Sequence, residues 1–99
     1  MSLDKVEIEV LQTPIFSKKK IKLHKNQIKD LGKAVKAIIE NPEAGTKKKG
    51  ILSGVRVYKF KMVNHESLLA YQWDPKRRIL VALGVHENFY RDVENSISS

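Results

Sequence analysis

The stretch Val55–Met62 admits few folds. Tyr58, Phe60 and Met62 fall on one side of an extended chain, and Lys59 and Lys61 on the other. A helix would scatter these groups around its axis. A strand sorts them into a face that suits a core and a face that carries two ammonium groups. Two more runs follow at hairpin spacing. After a turn at Asn64-His65, Ser67–Trp73 places Leu69, Tyr71 and Trp73 on one face and Leu68, Ala70 and Gln72 on the other. Asp74-Pro75-Lys76 reads as the next turn. Ile79–Leu83 is a short apolar run that reads as a central strand, and Gly84 ends it.

The first half of the chain has a different period. Lys5–Leu11 is a half-buried strand, with Val6, Ile8 and Val10 inward and Glu7 and Glu9 outward. Thr13-Pro14 reads as a helix start, with Thr13 as N-cap and Pro14 in the first position. This short basic helix runs to about Leu23; Phe16 and Leu23 share its buried side. His24-Lys25-Asn26 is a break. A second helix spans Asn26–Glu40, where Ile28, Leu31, Val35, Ile38 and Ile39 form one apolar stripe. Gly32 weakens it by about 1 kcal/mol relative to alanine and would permit a close crossing with the first helix. Asn41-Pro42 stops it, and Glu43–Leu52 is a loop.

The order is β-α-α-β-β-β. Strands grouped after helices indicate an α+β fold, a helical hairpin packed on one face of a mostly antiparallel four-stranded sheet. The helices cover the Tyr58/Phe60/Leu69/Tyr71/Trp73 face and leave the Lys59/Lys61/Leu68/Ala70/Gln72 face open. Residues 1–99 form a single domain, with a short helical turn within His86–Val93 and a frayed tail from Glu94 to Ser99.

Composition narrows the chemistry. There is no cysteine, which removes disulfides, thiolate metal sites and a thiol nucleophile and is consistent with a reducing cytoplasm. No run is long enough to span a membrane, and no apolar signal segment opens the chain. His24 and His65 have no partner at metal-ligand spacing, so no metal is expected. The net charge is +8. Residues 1–50 hold 12 lysines against 6 acids, so most of the excess lies there. Two readings of that charge stand: a lysine-rich solvated face, or attraction to a polyanion or an acidic protein.

NPEAG after the second helix, GVRVYKFK in the next strand, LLAY in the one after and LGVHENFYRD near the end occur in a fixed order within this element pattern. Over residues 4–93 the chain resembles the RelE/ParE toxin superfamily of type II toxin–antitoxin systems. The resemblance implies a cytoplasmic growth inhibitor held inactive by a cognate antitoxin. RelE-like members cut mRNA on the ribosome without a metal or cofactor; ParE-like members inhibit DNA gyrase without catalysis. The fold alone does not choose between them.

For the nuclease branch, the resemblance implies roles for particular residues. Lys59 and Lys61 match the paired lysines of RelE, which stabilise phosphate charge. Leu68 stands where RelE has an arginine. His86 matches the histidine that YafQ-type members carry after the last strand, and is the acid or the base at neutral pH. Tyr90 matches the C-terminal aromatic and would stack on a base or donate a hydrogen bond. Glu66 lies near the position of an acidic residue in YafQ-type members and is a possible general base. Arg56, Arg91, Lys47, Lys48 and Lys49 are phosphate-binding candidates. Without the resemblance, alternation alone makes Lys59 and Lys61 an ordinary solvated strand face.

Overall fold

The computed structural model describes residues 7–49, 54–85, 89–91 and 93–95. Strand β1 (Glu9–Gln12) leads into helices α1 (Pro14–Ile21) and α2 (Lys25–Glu40). Strands β2 (Thr46–Lys47), β3 (Arg56–Met62), β4 (His65–Asp74) and β5 (Arg77–Gly84) follow. Residues 89–91 and 93–95 are helical. The sheet order is β1-β5-β4-β3-β2, with β1 parallel to β5 and every other pair antiparallel.

The α+β class holds, with five strands in place of four. The additional one is β2, two residues inside the segment expected to be a loop. It has no alternation to betray it and exists only because Thr46 and Lys47 pair with Val57 and Arg56. Strand β1 is shorter than the expected Lys5–Leu11; Lys5 and Val6 lie outside the described residues. As an edge strand it is exposed throughout, with Val10 and Leu11 each 37% exposed.

The helix starts are set locally. Thr13 Oγ1 accepts from the Phe16 N–H at 3.1 Å and donates to Val81 O at 2.6 Å, so one hydroxyl caps α1 and ties it to β5. The α1 helix stops at Ile21, two residues before Leu23, which still packs against the core. At the start of α2, the Gln27 side chain accepts from the His24 N–H at 2.8 Å. A Cβ on Gly32 would meet nothing within 4 Å, so this glycine mediates no close helix crossing.

The helix-side core joins Phe16, Leu31, Ala34 and Ile38 to Met62, Leu69, Tyr71, Leu80 and Leu83. Each such large side chain contributes about 1.5–3 kcal/mol on full burial. The opposite face is not open. Val55, Val57, Leu68, Ala70, Val81 and Ala82 form a second core with Phe89 and Val93 from the helical residues near the C-terminus. Leu68 is 6% exposed and Ala70 fully buried. A bulge makes this possible. Ala70 pairs with Ala82 but Tyr71 pairs with Leu80, so Val81 is the extra residue. Val81 and Ala82 therefore both serve the second core, while Leu80 and Leu83 serve the first.

Two further departures concern the hairpins. The β3–β4 turn is Val63-Asn64, with φ of 50° and 68°, one residue earlier than expected. The Asp30 carboxylate of α2 accepts from the Val63 N–H at 2.8 Å and holds this turn. Trp73, expected in the core stripe, is 36% exposed at the end of β4. The buried residue there is Arg78, whose guanidinium donates to Ile38 O, Ile39 O, Asp74 O and Arg77 O at 2.8–3.0 Å. A strand arginine thus supplies the carbonyl partners that the end of α2 lacks.

Candidate functional site

The strand alternation that sorts Lys59 from Tyr58 also builds a cavity. Lys59 and Val57 project from β3 on the face opposite the helices, and Leu68 projects beside them from β4. Thr46 and Lys48 close one side, and Tyr90 closes another. The volume is about 250 Å³. Its floor is apolar, and its rim carries two ammonium groups, a hydroxyl and a phenol. Lys48 Nζ lies 5.6 Å from the Tyr90 ring centroid, a cation–π contact that steadies both groups.

Lys59 also faces Glu66, Nζ to Oε2 3.9 Å, with both side chains about two-thirds exposed. An exposed pair of this kind contributes at most about 1 kcal/mol. A phosphate, with its higher charge and several acceptor oxygens, can displace Glu66 from Lys59. Glu66 is a strand residue, paired across from Lys61, and not part of a turn.

The structure thus brings Lys48, Lys59 and Tyr90 together, with Glu66 beside them. Lys61 shares the face of Lys59 but lies beyond the cavity lining. Lys49 and Arg91, next in sequence to the lining residues Lys48 and Tyr90, are exposed and do not line it. Lys47 and Arg56 are not brought there. They are cross-strand partners that line a hollow with Trp73 on the other face. His86 lies outside the described residues; β5 ends at Gly84, which pairs with the cavity residue Leu68. Among the described residues, no three His, Asp or Glu side chains come together as a metal-binding group.

Sequence reasoning missed one residue of the lining, Thr46, and one cation near the end of β5, Lys19. Thr46 had no signal, because β2 could not be read as a strand. Lys19 of α1 brings its ammonium to the end of β5: a Cβ at Gly84 would be 3.8 Å from Lys19 Nζ. That proximity arises only when α1 packs on β5.

The placement of Lys48 depends on a clamp behind the sheet. Tyr71 Oη donates to Pro42 O at 2.7 Å and accepts from the Gly45 N–H at 2.9 Å. A Cβ at Gly45 would sit 2.9 Å from the Tyr71 ring and hydroxyl, so only glycine passes here. Arg56 Nη1 adds bonds to Gly45 O and Glu43 O, at 2.8 and 3.4 Å. The segment that delivers Thr46 and Lys48 is therefore fixed from below. Burial raises the Tyr71 phenol above its ordinary 10.0, with the Gly45 hydrogen bond opposing.

Tyr71→Phe keeps the ring but strips the Gly45 N–H and Pro42 carbonyl of a partner. We expect a loss of about 1–3 kcal/mol. The alkaline limb carries the signature. The fold favours the neutral phenol, so its stabilisation is complete below pH 10.0 and is lost as pH rises through the higher folded value. Unfolding midpoints measured against pH should show this component in the parent and not in the phenylalanine variant.

No helix among the described residues is long and apolar enough to cross a membrane. No curated protein matches the sequence. The fold is similar to that of the E. coli toxin RelE, solved in the free state as an arginine-to-alanine double mutant. The TM-score is 0.69 at 22% identity, covering 94% of this chain and 97% of that one. It is also similar to a chain of the intact E. coli RelBE toxin–antitoxin complex, with TM-score 0.63 at 22% identity, covering 81% and 98%. Identity this low carries the fold alone. The family model for the ParE-like toxin of type II bacterial toxin–antitoxin systems matches residues 10–94, nearly the whole described structure. The superfamily expected from the sequence is therefore the right one, and the chain belongs to the ParE-like toxins of type II toxin–antitoxin systems.

Proposed function

We propose that this toxin is a metal-independent, ribosome-dependent mRNA endoribonuclease that inhibits translation in the cytoplasm. The observation that carries the reading is the convergence of Lys48, Lys59 and Tyr90 on one cavity. In the reaction, the ribose 2′-OH attacks its own 3′-phosphate. A base takes the 2′ proton, an acid protonates the departing 5′ oxygen, and a 2′,3′-cyclic phosphate forms. Lys59 and Lys48 offset the extra negative charge on the phosphorane oxygens. Tyr90 stacks on a neighbouring base. His86 is the acid or the base, with Glu66 available for the complementary proton. The +8 charge draws the protein to rRNA.

A second reading has its own support. Leu68 lies in the cavity where a nuclease of this kind would gain from another cation, and the matching family is described as ParE-like. Both favour a non-catalytic inhibitor of DNA gyrase. Under either reading the partner is a cognate antitoxin. A groove of about 270 Å³ between α1, α2 and β1 supports this, with Val10, Ile28, Leu31, Val35 and Ile39 along it. Val10 and Ile28 are 37% and 41% exposed, which suits the apolar side of a partner helix.

Pulse labelling after induction in a bacterium separates the readings. The nuclease predicts that methionine incorporation falls within minutes, before thymidine incorporation. Thymidine falling first would transfer the assignment to gyrase.

A further inference from the structure

The hollow on the other face of the β2 edge is about 360 Å³ and is lined by Glu43, Lys47, Gly54, Val55, Arg56 and Trp73. Two cations and the chain's single tryptophan meet there. Lys47 and Arg56 are direct cross-strand partners, so their side chains leave the sheet on the same side. Arg56 is preset: its Nη1 is bonded to the Glu43 and Gly45 carbonyls. Among the described residues nothing else bonds to its donor fork, whose other N–H groups are available to an incoming acceptor. Among the described residues no carboxylate forms an ion pair with Lys47 or Arg56.

Trp73 stands out on its own strand. Leu69 and Tyr71, on the same face, are wholly buried, whereas Trp73 is 36% exposed. Its ring is nonetheless fixed. The Arg78 guanidinium lies over it, Cζ 5.7 Å from the centroid, and Arg78 is itself immobilised by four carbonyls. The lining carries two cations against the single Glu43 carboxylate, so it stays net positive, and a planar aromatic group held in orientation beside that charge matches the two halves of a nucleotide. The base stacks on the ring and the phosphate meets the cations.

We propose that this hollow is a second nucleotide-binding site for single-stranded RNA, with a base on Trp73 and its phosphate on Lys47 and Arg56. The proposal rests on the RNA reading of the Lys59 cavity. Strand β2 is the sheet edge and only two residues long. Consecutive side chains at an extended edge point to opposite faces, so Lys47 serves this hollow and Lys48 the cavity behind it. One strand of RNA crossing the edge at β2 touches both. The hollow positions the strand, and the cavity does the chemistry.

Trp73 is the only tryptophan, so its emission reports this site alone. The full chain is titrated with a short 2′-O-methyl oligoadenylate, which cannot be cleaved, and binding is followed separately by anisotropy of the end-labelled oligonucleotide. The expected result is quenching of Trp73 emission with the same midpoint as the anisotropy rise. Lys47→Glu should weaken both about tenfold, and an inorganic polyphosphate should bind without quenching. An anisotropy rise with unchanged emission overturns this site and leaves the nuclease reading standing, since RNA then binds elsewhere. Equal quenching by polyphosphate or by an acidic peptide also overturns it, because charge alone would then account for the signal. No change in either signal overturns it too, and pulse labelling then decides the nuclease reading separately.

Discussion

Arg78→Ala should lower stability by about 3–5 kcal/mol, a large share of what a domain of this size has. Arg78 is 3% exposed and carries a full charge, and among the described residues no carboxylate is bonded to it. Its compensation is four carbonyl oxygens, two of them Ile38 and Ile39 at the end of α2. Those two are also the negative end of the helix dipole, where a cation is favoured. Removing the side chain strands buried acceptors, opens a cavity and takes away the support under Trp73. Arg78→Lys keeps the charge but cannot reach four acceptors with one ammonium, and should fall between parent and alanine. Arg77→Ala is the control. Its partner Asp74 is on the surface, so the denaturation midpoint should hardly move. Urea unfolding with an unchanged m-value is the measurement. A parent-like midpoint for Arg78→Ala would show that the carbonyl contacts are not what holds α2 to the sheet.

The second large effect separates two lysines that the sequence cannot rank. Lys59→Ala should reduce ribosome-dependent mRNA cleavage about 10²–10³-fold, the usual loss when one charge-stabilising donor is removed. Lys61→Ala should cost less than about tenfold in the same assay. Lys59 lines the cavity with Lys48 and Tyr90; Lys61 lies beyond it, across from Glu66. His86→Ala should remove roughly 10²–10⁴-fold if it carries a proton in the reaction. Cleavage is read by primer extension on a defined message, with circular dichroism confirming that each variant is folded. If Lys59→Ala and His86→Ala both cut at the parental rate, the nuclease assignment falls.

The elements were legible where a local rule was strong. Thr13-Pro14 announced α1, and Thr13 does cap it. Asn41-Pro42 ended α2. The alternation in Val55–Met62 put Lys59 and Lys61 on the face away from the helices, and they are there. The errors have one cause. Strand β2, the Val81 bulge and the exposure of Trp73 depend on which segments lie alongside, and no local pattern encodes that. The expectation of an open far face failed for the same reason. Leu68 and Ala70 face away from the helices, and Phe89 and Val93, far along the chain, pack against them.

The sequence by itself determined the class and the sorting of charge, because period-2 and period-3.6 patterns, capping residues and a lysine excess act over a few residues and need no partner; the family followed from motif resemblance and the matching family model. Tertiary structure alone decided which cations share a site. Lys47, Lys48 and Lys49 are one run in the sequence, yet pairing with β3 sends Lys47 to the Trp73 hollow and Lys48 to the Lys59 cavity. Neighbours along an edge strand face opposite ways, and whether a residue stands on an edge strand at all is fixed by the chain it pairs with.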